Sequence, residues 1–138
     1  MIAMAEGTAC LGDNGYNVLV GGKLFDSYED HPRKLITLNR KLQSTAAGRY
    51  QLLSRYFDHY KNLLGLPDFS PESQDAIALQ QIKECKALAD VDDGRLREAV
   101  KKCAHIWASL PGAGYGQHEQ SFDDLRVAYI TAGGTYQA

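Results

Sequence analysis

Two rhythms of apolar and polar residues run along this chain, and the helical one dominates. Tyr50, Leu53, Tyr56, Phe57, Tyr60, Leu63 and Leu64 fall on one face at helical spacing and stop at Gly65. Ser70-Pro71 reads as a cap followed by proline at the first helical position, opening a helix with Ala78, Leu79, Ile82 and Cys85 inward. After a break at Asp92-Asp93-Gly94, Leu96, Ala99, Val100, Cys103, Ile106 and Trp107 form a third face. Ser121 with Asp124 resembles a capping box, ahead of a last helix carrying Phe122, Leu125, Ala128, Tyr129 and Ala132, stopped by Gly133-Gly134. The strand rhythm occurs once. Tyr16, Val18 and Val20 alternate with Asn17 and Leu19, then Gly21-Gly22 and Lys23-Leu24-Phe25 follow, which predicts a β-hairpin. From Asp26 to Thr45 the pattern is irregular and polar, with a turn at Asp30-His31-Pro32-Arg33. A loop that long in a small domain is usually functional or mobile. The fold class is therefore α+β, mostly helices with one small hairpin.

Composition narrows the function classes. At 138 residues the chain is expected to be a single domain, 1–138, large enough for a real core. No apolar run approaches the ~18 residues needed to span a bilayer. No basic region followed by an apolar stretch marks a secretory signal at the N-terminus. A net charge of −2, mixed along the chain, argues against a nucleic-acid binder. The three cysteines, Cys10, Cys85 and Cys103, lack metal-ligand spacing; Cys85 and Cys103 read as reduced thiols on helices, as in a reducing cytosol. The histidines (His31, His59, His105, His118) show no paired metal spacing, so neither metal nor cofactor is assigned. The aromatic stripe from Tyr50 to Tyr60 has helical spacing and reads as core before it reads as a sugar platform.

Three segments carry candidate chemistry. Ile2, Ala3 and Ala5 favour burial, and Gly7 is a plausible helix terminator, which places Glu6 at a helix end, half in the core. Desolvation there would raise its pKa and let it hold a proton near neutral pH. The plainer alternative is a solvated Glu near a frayed terminus. In Ser44-Thr45-Ala46-Ala47-Gly48-Arg49-Tyr50-Gln51, small residues precede a helix whose first turn carries Gln51, a donor and an acceptor. Its alternative is a helix cap with an incidental Gln. In the segment from Trp107 to Gln117, Pro111, Gly112, Gly114 and Gly116 rule out a helix, and Tyr115 between two glycines suits stacking on a sugar. A flexible connector is the alternative there.

Taken together, the sequence resembles the phage lambda-type endolysins, the phage-type lytic transglycosylases. The resemblance is carried by Glu6-Gly7-Thr8, Gly15-Tyr16, Val20-Gly21-Gly22, Tyr28, Asp30 to Leu35, Ser44-Thr45, Gly48-Arg49-Tyr50-Gln51, Asp68 to Pro71, Ser73 to Asp75, Gln80 to Glu84 and Ile106 to Gln117, nearly the whole chain in order. It implies a lysozyme-like fold, with a peptidoglycan cleft between a mostly helical lobe and a small β-hairpin lobe. It implies one catalytic carboxylate, at Glu6. The Gly48 to Gln51 segment resembles the Gly-x-x-Gln signature whose Gln contacts substrate, and Gly114-Tyr115-Gly116 resembles a cleft-lip loop. The implied substrate-binding set is Tyr16, Thr45, Tyr50, Gln51, Gly114, Tyr115 and Gln117. The family's first helix starts earlier than this one, the loop from Thr8 to Tyr16 is shorter here, and an Asp after the matching Tyr is Asn17.

The implied reaction cleaves the β-1,4 bond between MurNAc and GlcNAc and closes a 1,6-anhydro ring through the muramic C6 hydroxyl, for host cell lysis. A hydrolytic muramidase would need a second carboxylate, for which Asp13 and Asp26 are the nearby candidates. A non-catalytic peptidoglycan-binding remnant is the reading from another class. Expected partners are glycan strands of bacterial peptidoglycan, with no nucleic acid and no membrane insertion, bound by a monomer. The resemblance implies accumulation in the host cytoplasm and action in the periplasm after release by a holin.

Overall fold

The computed structural model describes residues 1–112 and 119–137. In chain order the elements are α1 (Ile2–Ala5), β1 (Ile36–Asn39), β2 (Leu42–Ser44), α2 (Ser54–Leu64), α3 (Pro71–Glu84), α4 (Leu88–Asp92), α5 (Leu96–Cys103) and α6 (Phe122–Thr131). They fall into two compact units. Unit one joins Met1–Glu6 to Leu79–Ala138, and unit two is Gly7–Ala78.

Unit two is built on a core of Leu19, Phe25, Ala47, Leu52, Phe57, Tyr60, Phe69 and Ile77. The Gly21-Gly22 turn forms as its sequence predicts, with Leu19 N–H donating to Lys23 O at 2.6 Å and Gly22 N–H to Leu19 O at 2.9 Å. It does not extend into a two-stranded ladder. Val18 bridges Leu24, but Leu19 also bridges Ala47, and Val20 N–H donates to Ala46 O at 2.9 Å. Residues 18–20 thus divide their backbone hydrogen bonds between two neighbours. The paired sheet lies instead in the stretch read as irregular: β1 and β2 run antiparallel, with Ile36 opposite Ser44, Thr37 opposite Gln43 and Asn39 opposite Leu42. Most of its residues are exposed, so no alternation of apolar and polar positions marked it.

The helix read from Tyr50 starts at Ser54. Residues 46–53 form a looped segment in which Ala47 and Leu52 exchange backbone hydrogen bonds of 3.1 and 2.9 Å. Within α2, Phe57 and Tyr60 are buried while Tyr56 and Leu63 face out, which narrows the predicted stripe to its centre. The helix ends on Gly65 in the left-handed conformation, as predicted. The Ser70-Pro71 start of α3 also stands: Ser70 Oγ accepts from Ser73 N–H at 3.3 Å. Its inward face is more polar than predicted. Ser73, Gln74, Ile77, Ala78 and Gln81 are buried, Ile82 and Cys85 are half-buried, and Leu79 is exposed.

In unit one, α1 packs against α6 and α4 against α5. Leu96, Ala99, Val100 and Cys103 are buried on α5; Trp107 and Leu110 are buried beyond its end, so the third apolar face continues into turns. The buried Asp90 of α4 accepts from Arg95 Nε at 2.8 Å and Lys102 Nζ at 2.5 Å. Ser121 Oγ caps α6 by accepting from Asp124 N–H at 3.2 Å, and the helix buries Leu125 and Tyr129, with Ala128 half-buried and Ala132 exposed. At Gly94, φ is +81°, a side chain would collide with Thr135 O, and Gln137 N–H donates to Gly94 O at 2.9 Å. The tail is thereby laid against the turn between α4 and α5. All three cysteines are free thiols: Cys10 exposed, Cys85 half-buried and Cys103 buried.

His31 is a buried titratable group of unit two. Its ring lies 4.9 Å from that of Phe69 and 5.9 Å from that of Phe57. Arg33 N–H donates to Nδ1 at 2.9 Å, so Nδ1 must be unprotonated, and Nε2–H donates to Leu52 O at 2.8 Å. Burial, with the Arg33 charge adding to it, holds the His31 pKa below its ordinary 6.5. The unfolded chain therefore takes up the proton first. Stability is intact above about 6.5 and falls as pH drops from there through the lower folded value. Thermal melts across this window should show the wild type losing Tm towards acid. His31→Gln should start lower at neutral pH and lose less over the same range; parallel curves would remove His31 from this role.

Candidate active site

Glu6 closes α1. Its N–H donates to Ile2 O at 2.8 Å, and Gly7 follows at φ +77°, so the helix stops where the sequence predicts. Ile2, Ala3 and Ala5 are buried and Glu6 is half-buried. The Ser109 hydroxyl donates to Glu6 Oε1 at 3.0 Å. Burial raises the Glu6 pKa from 4.5 to about 7, against the smaller lowering effect of the Ser109 hydrogen bond. Such a carboxyl is poised to give and to take a proton near neutrality.

Ser109 was not singled out from the sequence, although it lies inside the Gly-rich segment quoted there. Its own position is well fixed. Ser109 O accepts from Gln120 N–H at 2.8 Å, and Leu110 N–H donates to Trp107 O at 3.0 Å between two buried side chains. One turn further on, Gly112 N–H donates to Glu119 Oε1 at 2.9 Å. Gly114, Tyr115 and Gln117 lie outside the described residues.

The other predicted residues belong to unit two. Gly48 has φ +85°, and the space a side chain would fill is already taken by Gln74 and Phe69. The glycine serves internal packing on that side. Gln74 is buried and fully engaged: its Oε1 accepts from Arg49 N–H at 2.9 Å, and its Nε2 donates to Tyr16 O at 3.0 Å and Phe69 O at 2.9 Å. Gln51 sits not in a helix but in the preceding turn, at φ +53°. Its amide Nε2 donates to Gly48 O at 2.9 Å and Val18 O at 3.2 Å. With the donor side so engaged, Oε1 is the group it can offer.

Tyr16 and Tyr50 meet edge to face, centroids 6.5 Å apart, and both hydroxyls donate to Asp75 Oδ1, at 2.9 and 2.7 Å. Burial, with the Asp75 carboxylate adding to it, pushes both phenol pKa values up. Sequence reasoning assigned Asp75 no role, because nothing in its spacing points to two tyrosines. The Arg49 guanidinium lies 5.2 Å above the Tyr16 ring. Thr45 Oγ1 accepts from Ser54 N–H at 3.1 Å at the start of α2, and Thr8 Oγ1 donates to Arg49 O at 2.6 Å. Of the acids near the Gly-Gly turn, Asp13 accepts from the Tyr28 hydroxyl at 2.7 Å and Asp26 is exposed. Among the described residues no group of three or more His, Cys, Asp or Glu is arranged to hold a metal.

Similarity to known proteins agrees with this arrangement. The endolysin family model matches residues 1–136. The endolysin of Escherichia phage lambda is 59% identical over 139 residues, covering 98% of this chain and 88% of that protein. The endolysin of Escherichia phage P2 is 47% identical over 147 residues, covering 97% and 89%. Among solved structures, bacteriophage lambda lysozyme complexed with a chitohexasaccharide superposes with a TM-score of 0.96 at 58% identity, over 99% of this chain and 91% of the other. A second structure of the phage lambda lysozyme gives 0.90 at 57% identity, with the same coverage. The fold is accordingly lysozyme-like α+β, mostly helical with a small antiparallel sheet. With a family model spanning nearly its full length and relatives this close, the chain belongs to the endolysin family.

Proposed function

We propose that this chain is a peptidoglycan-cleaving endolysin of the lytic transglycosylase type, with Glu6 as its single acid and base. The observation that carries the reading is the half-buried Glu6 carboxyl, whose pKa stands at about 7. A general acid must be protonated when the bond breaks, and its conjugate base must be stable enough to exist afterwards; a pKa near ambient pH serves both. The chitohexasaccharide bound by the phage lambda lysozyme supports a β-linked amino-sugar polymer as the ligand.

The steps balance on one carboxyl. Glu6 gives its proton to the glycosidic oxygen between MurNAc and GlcNAc, the bond from that oxygen to muramic C1 breaks, and positive charge develops on the ring. The muramic N-acetyl group helps to stabilise that charge. The muramic C6 hydroxyl oxygen bonds to C1, and its proton passes to the Glu6 carboxylate. Glu6 regains its acid form, no water is consumed, and the attack gains from being intramolecular. Gln51 accepts a sugar hydroxyl at Oε1, Tyr16 and Tyr50 offer ring faces and edges because their hydroxyls are held by Asp75, and Thr45 shapes the start of α2. Gly114, Tyr115 and Gln117 complete the sugar contacts. The protein acts as a monomer of one catalytic domain, made in the host cytoplasm and released by a holin to the periplasmic wall.

Mass spectrometry of digested wall should find 1,6-anhydro-MurNAc ends. Reducing MurNAc ends that incorporate labelled water would overturn the transglycosylase assignment and leave a hydrolase. Glu6→Gln retains shape and hydrogen bonding but cannot deliver a proton. It should fold, still bind wall oligosaccharide and lose at least ~100-fold in lytic rate. Because the folded carboxyl pKa is raised, the wild type gives up stability as pH climbs from 4.5 through about 7. Glu6→Gln should therefore melt no lower than wild type at neutral pH; wild-type lysis by this variant would sink the role of Glu6.

A further inference from the structure

A carboxylic acid that transfers a proton has two unlike oxygens, and which one carries the proton decides where it can be delivered. Glu6 would have this choice open if both oxygens met only solvent. Its Oε1 is not open: Ser109 Oγ stands 3.0 Å away on a turn pinned by Gln120 N–H and flanked by the buried Trp107 and Leu110. A hydroxyl has a single proton to donate. Donated to Oε1, that proton makes Oε1 the accepting oxygen of the neutral acid.

We propose that Ser109 is a positioning residue for Glu6, its hydroxyl donating to Oε1 whether Glu6 is acid or carboxylate, so that the reacting proton is carried on Oε2. This rests on the acid–base reading of Glu6. The hydrogen bond strengthens when Glu6 becomes a carboxylate, since a charged acceptor roughly doubles its strength. It therefore favours the base form that the second proton transfer needs. It also opposes burial in setting the pKa of Glu6. The charged and titratable side chains on the elements packed against this pair are Asp123, Asp124 and Arg126 on α6, with His105 and Glu119 beside the Ser109 turn; burial is the largest cause of the shift and the Ser109 hydroxyl opposes it.

Ser109→Ala removes the donor and leaves the burial. The folded pKa of Glu6 then rises, and the alkaline limb of the kcat/KM profile moves to higher pH. At the optimum kcat should fall by roughly tenfold or more, the loss expected for a hydrogen bond to a charged group, with KM little changed. Ser109→Thr, which restores a hydroxyl, should return the limb towards its wild-type position. The direct readout is titration of the Glu6 side-chain carboxyl by carbon NMR in wild type and Ser109→Ala, which does not depend on turnover. An unmoved titration midpoint together with an unmoved alkaline limb would overturn the role of Ser109. Lysis by Glu6→Gln would instead overturn the acid–base reading, whatever the titration shows. If Ser109→Ala does not fold, Ser109→Cys, a weaker donor of similar size, must show the same upward shift, and no shift there counts against the proposal.

Discussion

A single buried amide organises unit two. Gln74 spends both amide donors on the carbonyls of Tyr16 and Phe69, and its oxygen receives the N–H of Arg49. Three stretches far apart in sequence are thereby fixed to one turn of α3. Leaving any one of these buried polar groups unpaired would cost about 1–3 kcal/mol, so the arrangement is strongly specified. Asp75, the next residue, receives both tyrosine hydroxyls. The Gly48 to Gln51 turn can stay in an irregular conformation, with Gln51 at positive φ, because Gln74 and Asp75 of α3, Thr8 and Val18 all hold it by hydrogen bonds.

The carboxyl in unit one is held by opposite means. Glu6 has apolar neighbours in α1 and, among the described residues, the Ser109 hydroxyl as its side-chain partner. A guanidinium there would stabilise the carboxylate and hold the pKa low, making a poor acid. Burial moderated by one neutral donor places the group near neutrality. Gln74 is saturated with hydrogen bonds, whereas the state of Glu6 is set by burial opposed by the Ser109 hydroxyl.

Local signals carried most of what could be read from the sequence. Gly7, Gly65, Ser70-Pro71 and the Ser121–Asp124 cap were legible because each acts within one turn of chain. The place of Glu6 at a helix end was legible for the same reason. The β1–β2 sheet was not, since strands exposed on both faces show no alternation. The start of α2 was misplaced because Tyr50 and Leu53 continue the apolar spacing backwards, while tertiary pairing of Ala47 with Leu52 claims that stretch. Apolarity places Leu79 inward, yet α3 turns Gln74 and Gln81 to the interior, where Gln74 donates to the backbone carbonyls of Tyr16 and Phe69. Asp75 with its two tyrosines, and Ser109 with Glu6, are contacts across 25 to 103 residues that no spacing rule encodes.

Unit one is discontinuous, and this sets an order of events during synthesis. Gly7–Ala78 is one unbroken stretch and has all of its core once residue 78 has emerged. Residues 1–6 must wait. Their partners on α6, and the Ser109 turn, leave the ribosome only after the whole of unit two, and the segment that docks on Gly94 follows them. Contacts of such long sequence separation form late because the loop must close before they stabilise anything. A nascent chain thus carries the whole core of unit two while Glu6 is still unburied. The carboxyl acquires its raised pKa only after the Ser109 turn and α6 have closed onto α1, so its environment is the product of late folding and not of the local sequence alone.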